Sequence, residues 1–150
     1  MLRIKGVFGG SDNGFTLDGS KLTGDVAEDS RSEYVGQFVG GRLASIGSDG
    51  FIKLAEGDKD YAEGFIINDA SGYFMENTPA LASGIVTVLC GGGVVLTDQV
   101  VEEDIAAGDK LYAGSGDNAG LVTKTETGSP IGVARTGNSA SDKTIELRFF

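Results

Sequence analysis

The sequence has no histidine and no tryptophan, a single cysteine and only two prolines in 150 residues. Without histidine there is no Ser–His–Asp or Cys–His nucleophile pair, no imidazole general base and no metal site with an imidazole ligand. One cysteine makes neither an intramolecular disulfide nor a four-thiolate zinc site. Cys90 sits in an apolar run ahead of Gly91-Gly92-Gly93, so a small buried hydrophobe is expected there, with a Cys90–Cys90 bond between subunits as the alternative. Neither Gly91-Gly92-Gly93 nor Gly9-Gly10 has the Lys-Ser/Thr or GxGxxG frame of a phosphate loop, and both read as turns. No apolar run approaches the ~20 residues that cross a bilayer as a helix. The opening Met1-Leu2-Arg3-Ile4-Lys5-Gly6 is not followed by the apolar stretch of a secretory signal. The expectation is a chain made in the cytoplasm, without a membrane partner. Cations are scarce as well: 12 Lys and Arg stand against 22 Asp and Glu, for a net charge of −10. The cations form no stripe, so a phosphate backbone is not an expected partner, and the acidity serves solubility.

What the chain does have is glycine, 25 residues of it, and a 40% hydrophobic fraction. Glycine at well over the ~7% norm, without a three-residue period, fits many tight turns between short strands. The last third shows this best. Ile145, Leu147 and Phe149 alternate with Thr144, Glu146 and Arg148, the pattern of a strand with one dry and one wet face. Ahead of it lie the short apolar runs Leu111-Tyr112-Ala113, Leu121-Val122-Thr123 and Ile131-Gly132-Val133-Ala134. Ser115-Gly116-Asp117-Asn118, Thr127-Gly128-Ser129-Pro130 and Gly137-Asn138-Ser139 separate them with turn chemistry. Strands so closely spaced leave no room for crossover helices, so the expected fold is all-β: a single small antiparallel barrel or sandwich.

Earlier segments feed the same unit. Tyr34–Val39, Arg42–Ile46, Phe51–Leu54, Gly64–Asn68 and Tyr73–Met75 read as strands, followed by the two most apolar ones around Val86 and Val95. One short helix is expected at Gln99–Ile105, capped by Asp98 and stopped by Gly108, with Glu102-Glu103-Asp104 on its wet face. Leu54–Ala62 (LAEGDKDYA) echoes Ile105–Ala113 (IAAGDKLYA), and recurrent hairpin chemistry explains the echo without a duplication.

The residues Gly108-Asp109-Lys110-Leu111-Tyr112-Ala113, Gly120–Thr125, Ile131–Ala134 and the terminal Thr144–Phe149 resemble the capsid decoration (cement) proteins of tailed bacteriophages. The similarity is strongest over residues 84–150 and looser over residues 34–68. It implies a structural virion protein on the capsid outer surface, a small oligomer with a trimer favoured, whose partner is the major capsid protein.

Residues 1–33 match no part of that resemblance. Leu2 and Ile4 alternate with Arg3 and Lys5 in a half-apolar strand that ends at Val7-Phe8. Asn13-Gly14 then turns the chain, and residues 21–33 are polar with four acids. The expected organisation is therefore an extended N-terminal arm, 1–33, ahead of a decoration domain, 34–150. The arm's strand, Leu2, Arg3, Ile4, Lys5, Val7 and Phe8, is expected to add to a sheet of an adjacent subunit or of the capsid protein. Backbone hydrogen bonds would give affinity and alternate side chains would select the edge.

Carboxylates are the remaining chemistry. Glu56, Asp58 and Asp60, or Asp12, Asn13 and Asp18, are close enough in sequence to meet at one Ca²⁺. Neither set has the alternate-position spacing, fixed glycine and distant glutamate of an EF-hand. They read as solvated turn formers, and no catalytic residue, metal or cofactor is expected. Two other classes compete with the virion reading. A carbohydrate- or receptor-binding β module needs exposed aromatics, and the aromatics here fall mostly at strand-core positions. A trimeric β-barrel nucleotide hydrolase needs a phosphate cradle, and none is seen. Chelator treatment is expected to leave the melting temperature unchanged; a fall that Ca²⁺ restores would overturn the reading of the acidic turns.

Overall fold

A computed structural model describes residues 2–7, 21–25, 39–48, 50, 52–67 and 85–150. The fold is all-β, two antiparallel sheets with one curled as a half-barrel. Eleven strands are described: β1 (Leu2–Val7), β2 (Lys21–Asp25), β3 (Leu43–Ile46), β4 (Ile52–Leu54), β5 (Gly64–Ile66), β6 (Ile85–Cys90), β7 (Gly93–Thr97), β8 (Lys110–Ala113), β9 (Val122–Thr123), β10 (Gly132–Ala134) and β11 (Ile145–Phe149). One sheet has the order β1-β7-β11-β10-β8-β9, the other β2-β6-β5-β3-β4.

The alternation of the last strand carries through to the structure. Ile145, Leu147 and Phe149 are buried while Arg148 is exposed, because side chains on a strand point to opposite faces at period two. They meet Val95, Leu111, Ala113, Val122 and Ala134 from the same sheet, and Leu43, Phe65 and Leu89 from the other. At the centre the Phe65 and Phe149 rings meet edge to face, with centroids 5.2 Å apart and planes at 82°. Such a pair adds about 0.5–1.5 kcal/mol beyond the area it buries. The five-stranded sheet is apolar on its second face as well, where Ala44, Ile52, Leu54, Ile66 and Val88 form a separate buried cluster.

The link Gly91-Gly92, with Gly91 at φ 81°, joins β6 to β7, which belong to different sheets. The glycine-rich link therefore makes a corner between the sheets. Both arms of that corner are paired on the side away from the centre. Leu2–Val7, the segment expected to seek a neighbour's sheet, pairs with β7 of its own chain, from Leu2 opposite Thr97 to Val7 opposite Gly93. Lys21–Asp25 pairs with β6, from Lys21 opposite Leu89 to Asp25 opposite Ile85. Pairing there covers rows of backbone groups that β6 and β7 would otherwise present as open edges. Phe8 and the remainder of 1–33, with the strands expected at Tyr34–Val39 and Tyr73–Met75, lie largely or wholly outside the described residues.

The helix expected at Gln99–Ile105 does not form. The segment is an extended strap: Val100 bridges Val122 in parallel, and Ile105 bridges Asn138. Val101 N–H donates to Val122 O at 2.9 Å and Val122 N–H to Gln99 O at 2.9 Å. Val100 and Ile105 are both buried in the shared core. Packing and bridge bonds at both ends outweigh a helical propensity of a few tenths of a kcal/mol per residue. Glu102-Glu103-Asp104 is accordingly not a helical face but a set of anchors. Glu103 Oε1 accepts from Thr123 Oγ1 and Lys124 N, each at 2.6 Å, and Asp104 Oδ1 accepts from Ala140 N at 2.9 Å. Exposed Glu102 lies 2.5 Å from Lys143, whose hydrogen bond and charge hold its carboxyl below the ordinary range. The helical turn among the described residues is a short 3₁₀ segment at Gly116–Asn118.

Leu147→Ala is expected to cost about 2–5 kcal/mol, since Leu147 is wholly buried. Glu146, on the outer face, pairs with Arg135 at 3.4 Å across partly exposed side chains. Glu146→Ala should therefore stay within about 0.5 kcal/mol. Equal losses in urea denaturation would show that the register is misassigned.

Candidate functional site

Among the described residues lies a cleft of about 290 Å³. Its walls are the β4–β5 connection (57–63), the β9–β10 connection (128–131) and the chain end at Phe149-Phe150; Leu43 and Phe65 also line it.

Asp60 shapes the first wall. Its Oδ2 accepts from Glu56 N at 3.2 Å and its Oδ1 from Lys53 Nζ at 2.7 Å. Lys59 N and Asp60 N both donate to Glu56 O, at 3.0 and 2.7 Å. This side-chain-to-backbone closure is ordinary turn chemistry for aspartate. Lys59 lies 2.5 Å from Glu56, and hydrogen bonding to that carboxylate, with its charge, raises the Lys59 ammonium above its usual range. The three acids singled out for Ca²⁺ thus do not converge. Asp60 is taken by Lys53, Glu56 by Lys59, and Asp58 is exposed. Among the described residues no three His, Cys, Asp or Glu side chains gather in a metal-binding arrangement. Asp12, Asn13 and Asp18 lie outside the described residues.

The floor is built by backbone contact. Gly57 N donates to Gly114 O at 3.2 Å, and Thr127 Oγ1 donates to Ala113 O at 2.6 Å. A Cβ on Gly57 would stand 2.1 Å from Ala113 O and 2.2 Å from Thr127 Oγ1. One on Gly128 would stand 2.1 Å from Gly57 O. Three loops therefore meet at a point that admits no side chain. Farther along, Ile131 N donates to Leu111 O at 2.8 Å and Phe150 N to Ile131 O at 2.9 Å, which fixes the chain end beside the β9–β10 connection.

Two aromatics at this cleft were not anticipated as surface features. Tyr61 is 74% exposed and Phe150 61%. With Ile46 they are the exposed large hydrophobics of the described residues. The signal for Phe150 was present: strict alternation buries Phe149 and turns its successor outward. The signal for Tyr61 was masked by the echo, which aligns it with Tyr112. Tyr112 is buried on β8, whereas Tyr61 follows a turn that never becomes a strand. Gly108, in the second copy, has φ +93°, a conformation the aligned Gly57 does not share. The two segments share a buried first residue, Leu54 and Ile105, but not the turn conformation or the placement of the tyrosine.

Cys90 is half-buried, packs against the second apolar cluster, and its thiol donates to Val88 O at 3.8 Å. A second polar chain sits away from the cleft. Arg42 Nε donates to Gln99 Oε1 at 3.1 Å, and Gln99 Nε2 to Asp98 Oδ1 at 2.9 Å. Partial burial moves the Arg42 guanidinium down from its usual value, and it serves as a tie between the β3 entrance and the strap. Of the residues expected to bind a partner, Leu2, Arg3, Ile4, Lys5 and Val7 lie on the edge strand β1. No model of a known protein family and no curated protein matches the chain.

Gly57→Ala is expected to destabilise the protein by about 1–3 kcal/mol, as overpacking against fixed backbone does. Ser129→Ala, at an exposed position on the same cleft, should change stability by less than about 0.5 kcal/mol. Equal urea midpoints for the two variants would contradict the close packing of the floor.

Proposed function

We propose that the chain is a structural virion protein that binds the exterior of an assembled phage capsid and stabilises it by bridging neighbouring major capsid subunits. What carries this reading is the resemblance of residues 84–150 to the decoration proteins. Those residues supply β6 to β11, which include every strand of the six-stranded sheet except β1. The resembling residues are thus the frame of the fold. Support also comes from the edges, since β1 and β2 stand at the ends of the two sheets, where another chain's strand can add by backbone pairing. A trimer over a junction between capsid subunits is the proposed working form.

The mechanism is mechanical. A ligand that binds only the assembled shell stabilises it by RT ln(1 + [L]/Kd) at each site, so a shell under internal pressure must lose those contacts before it opens. A net charge of −10 keeps many copies soluble and apart until they are seated. A carbohydrate- or receptor-binding module is the second reading, favoured by exposed Tyr61 and Phe150 beside one cleft.

Particles lacking this protein, after the purified protein is added back, are expected to gain density on the outer surface and to rupture at a higher temperature. Native mass measurement of the purified protein should give a trimer. Bare particles with an unchanged rupture temperature would overturn the proposal. A monomer whose melting temperature rises with an oligosaccharide would favour the second reading.

A further inference from the structure

The geometry points to the Tyr61–Phe150 cleft as a docking site for an extended peptide segment of a partner protein that presents an arginine or lysine side chain. The inference depends on the decoration reading only for the source of that segment, which would be an exposed stretch of the shell protein.

The volume, about 290 Å³, lies at the small end of the range for ligand pockets. It suits one long side chain with its flanking backbone better than a drug-sized molecule. The lining residues differ in character. Buried Phe65 and Phe149 with half-buried Ile131 supply apolar surface, while Tyr61 and Phe150 line the same cleft as exposed aromatics. An arginine or lysine side chain has the same division, a hydrocarbon stem that prefers apolar contact and a charged head that stays near water. The head would meet two complementary features. Asp58 and Glu63 line the cleft and make no ion pair among the described residues; a hydrogen bond with Ser115, with the charge of neighbouring Lys59, keeps the exposed Asp58 carboxyl below its ordinary range and hence charged, whereas Asp60 and Glu56 are already paired with lysines. Aromatic faces also attract cations, and arginine above all. A net charge of −10 would draw a cationic segment from a distance and repel an acidic one. A neutral sugar would use the aromatic faces but gain no charge attraction from Asp58 and Glu63.

The test uses the full chain, isotopically labelled, titrated with the peptide acetyl-Gly-Val-Arg-Val-Gly-amide and with the same peptide carrying citrulline, the uncharged isostere. Amide shifts are expected to concentrate in 58–63, 128–131 and Phe150. The arginine peptide should bind at least about fivefold more tightly than the citrulline peptide, and added salt should narrow the difference. Tyr61→Ala and Glu63→Gln should each weaken it by about three- to tenfold without changing the melting temperature, since both side chains lie outside the buried core. Equal affinity for the two peptides, or shifts confined to other parts of the chain, would overturn the assignment. So would maltotriose shifting these residues where the arginine peptide does not. A protein that decorates particles but ignores the peptide would lose this site and keep the capsid role. One that binds the peptide at the cleft but decorates no particle would do the reverse.

Discussion

Phe65 on β5 and Phe149 on β11 meet edge to face across the gap between the two sheets. Much else is arranged around that contact. Leu43 and Leu89 flank it from one sheet, Val95, Leu147 and Ala134 from the other, and each is fully or almost fully buried. A strand presents alternate residues to one face, so Phe149 can reach Phe65 only if Leu147 and Ile145 point the same way. The register of β11 against β7, with Leu147 opposite Val95 and Phe149 opposite Gly93, keeps these side chains on that face. Gly93 leaves the space beside Phe149 open, since it brings no side chain of its own.

Polar groups secure the edges of this apolar layer. Thr97 is fully buried, and its hydroxyl donates to Gly41 O at 3.0 Å while accepting from Gln99 N at 3.1 Å. A buried hydroxyl with both capacities used carries little desolvation penalty. Here it fastens the end of β7 to the approach to β3. Gly120, at φ +76°, does similar work through backbone alone: Leu43 N donates to Gly120 O, and Gly120 N to Ala55 O, each at 2.8 Å. The acids contribute in the same way. Asp60, Glu103, Asp104 and Asp109 all accept hydrogen bonds from backbone N–H groups in the connections. These four carboxylates thereby close loops.

The cleft is a consequence of these closures. Because Asp60 holds its turn against Glu56 and Lys53, the next residue, Tyr61, leaves the turn exposed. Because Gly57 and Gly128 allow backbone to touch backbone, the two connections come near enough to share a floor. Because β11 ends on a buried phenylalanine, Phe150 turns outward beside Ile131. The result is a surface on which exposed aromatics stand beside the carboxylates of Asp58 and Glu63.

By itself the sequence determined the class of fold and its most regular parts. Alternation in Ile145–Phe149, turn residues around Gly116, Gly128 and Gly137, and the apolar runs at Val86 and Val95 were enough for antiparallel sheets without crossover helices, since period-two burial is a local property. The absence of histidine and of spaced ligands narrowed the chemistry in the same direct way. Tertiary structure alone decided whatever depends on a distant partner. Gln99–Ile105 has a helix-like composition, yet it is extended because Val122 and Asn138 offer bridge bonds. Leu2–Val7 has the pattern of a strand, but only the open edge of β7 determines where it pairs in this chain. Asp58 and Asp60 are two residues apart, and their different roles follow from Lys53, which reaches one and not the other. Tyr61 and Tyr112 sit in matching words of sequence, one exposed and one buried. Burial depends on what the fold brings to a residue, and the Gly-Asp-Lys and Tyr-Ala letters that the two segments share do not fix it.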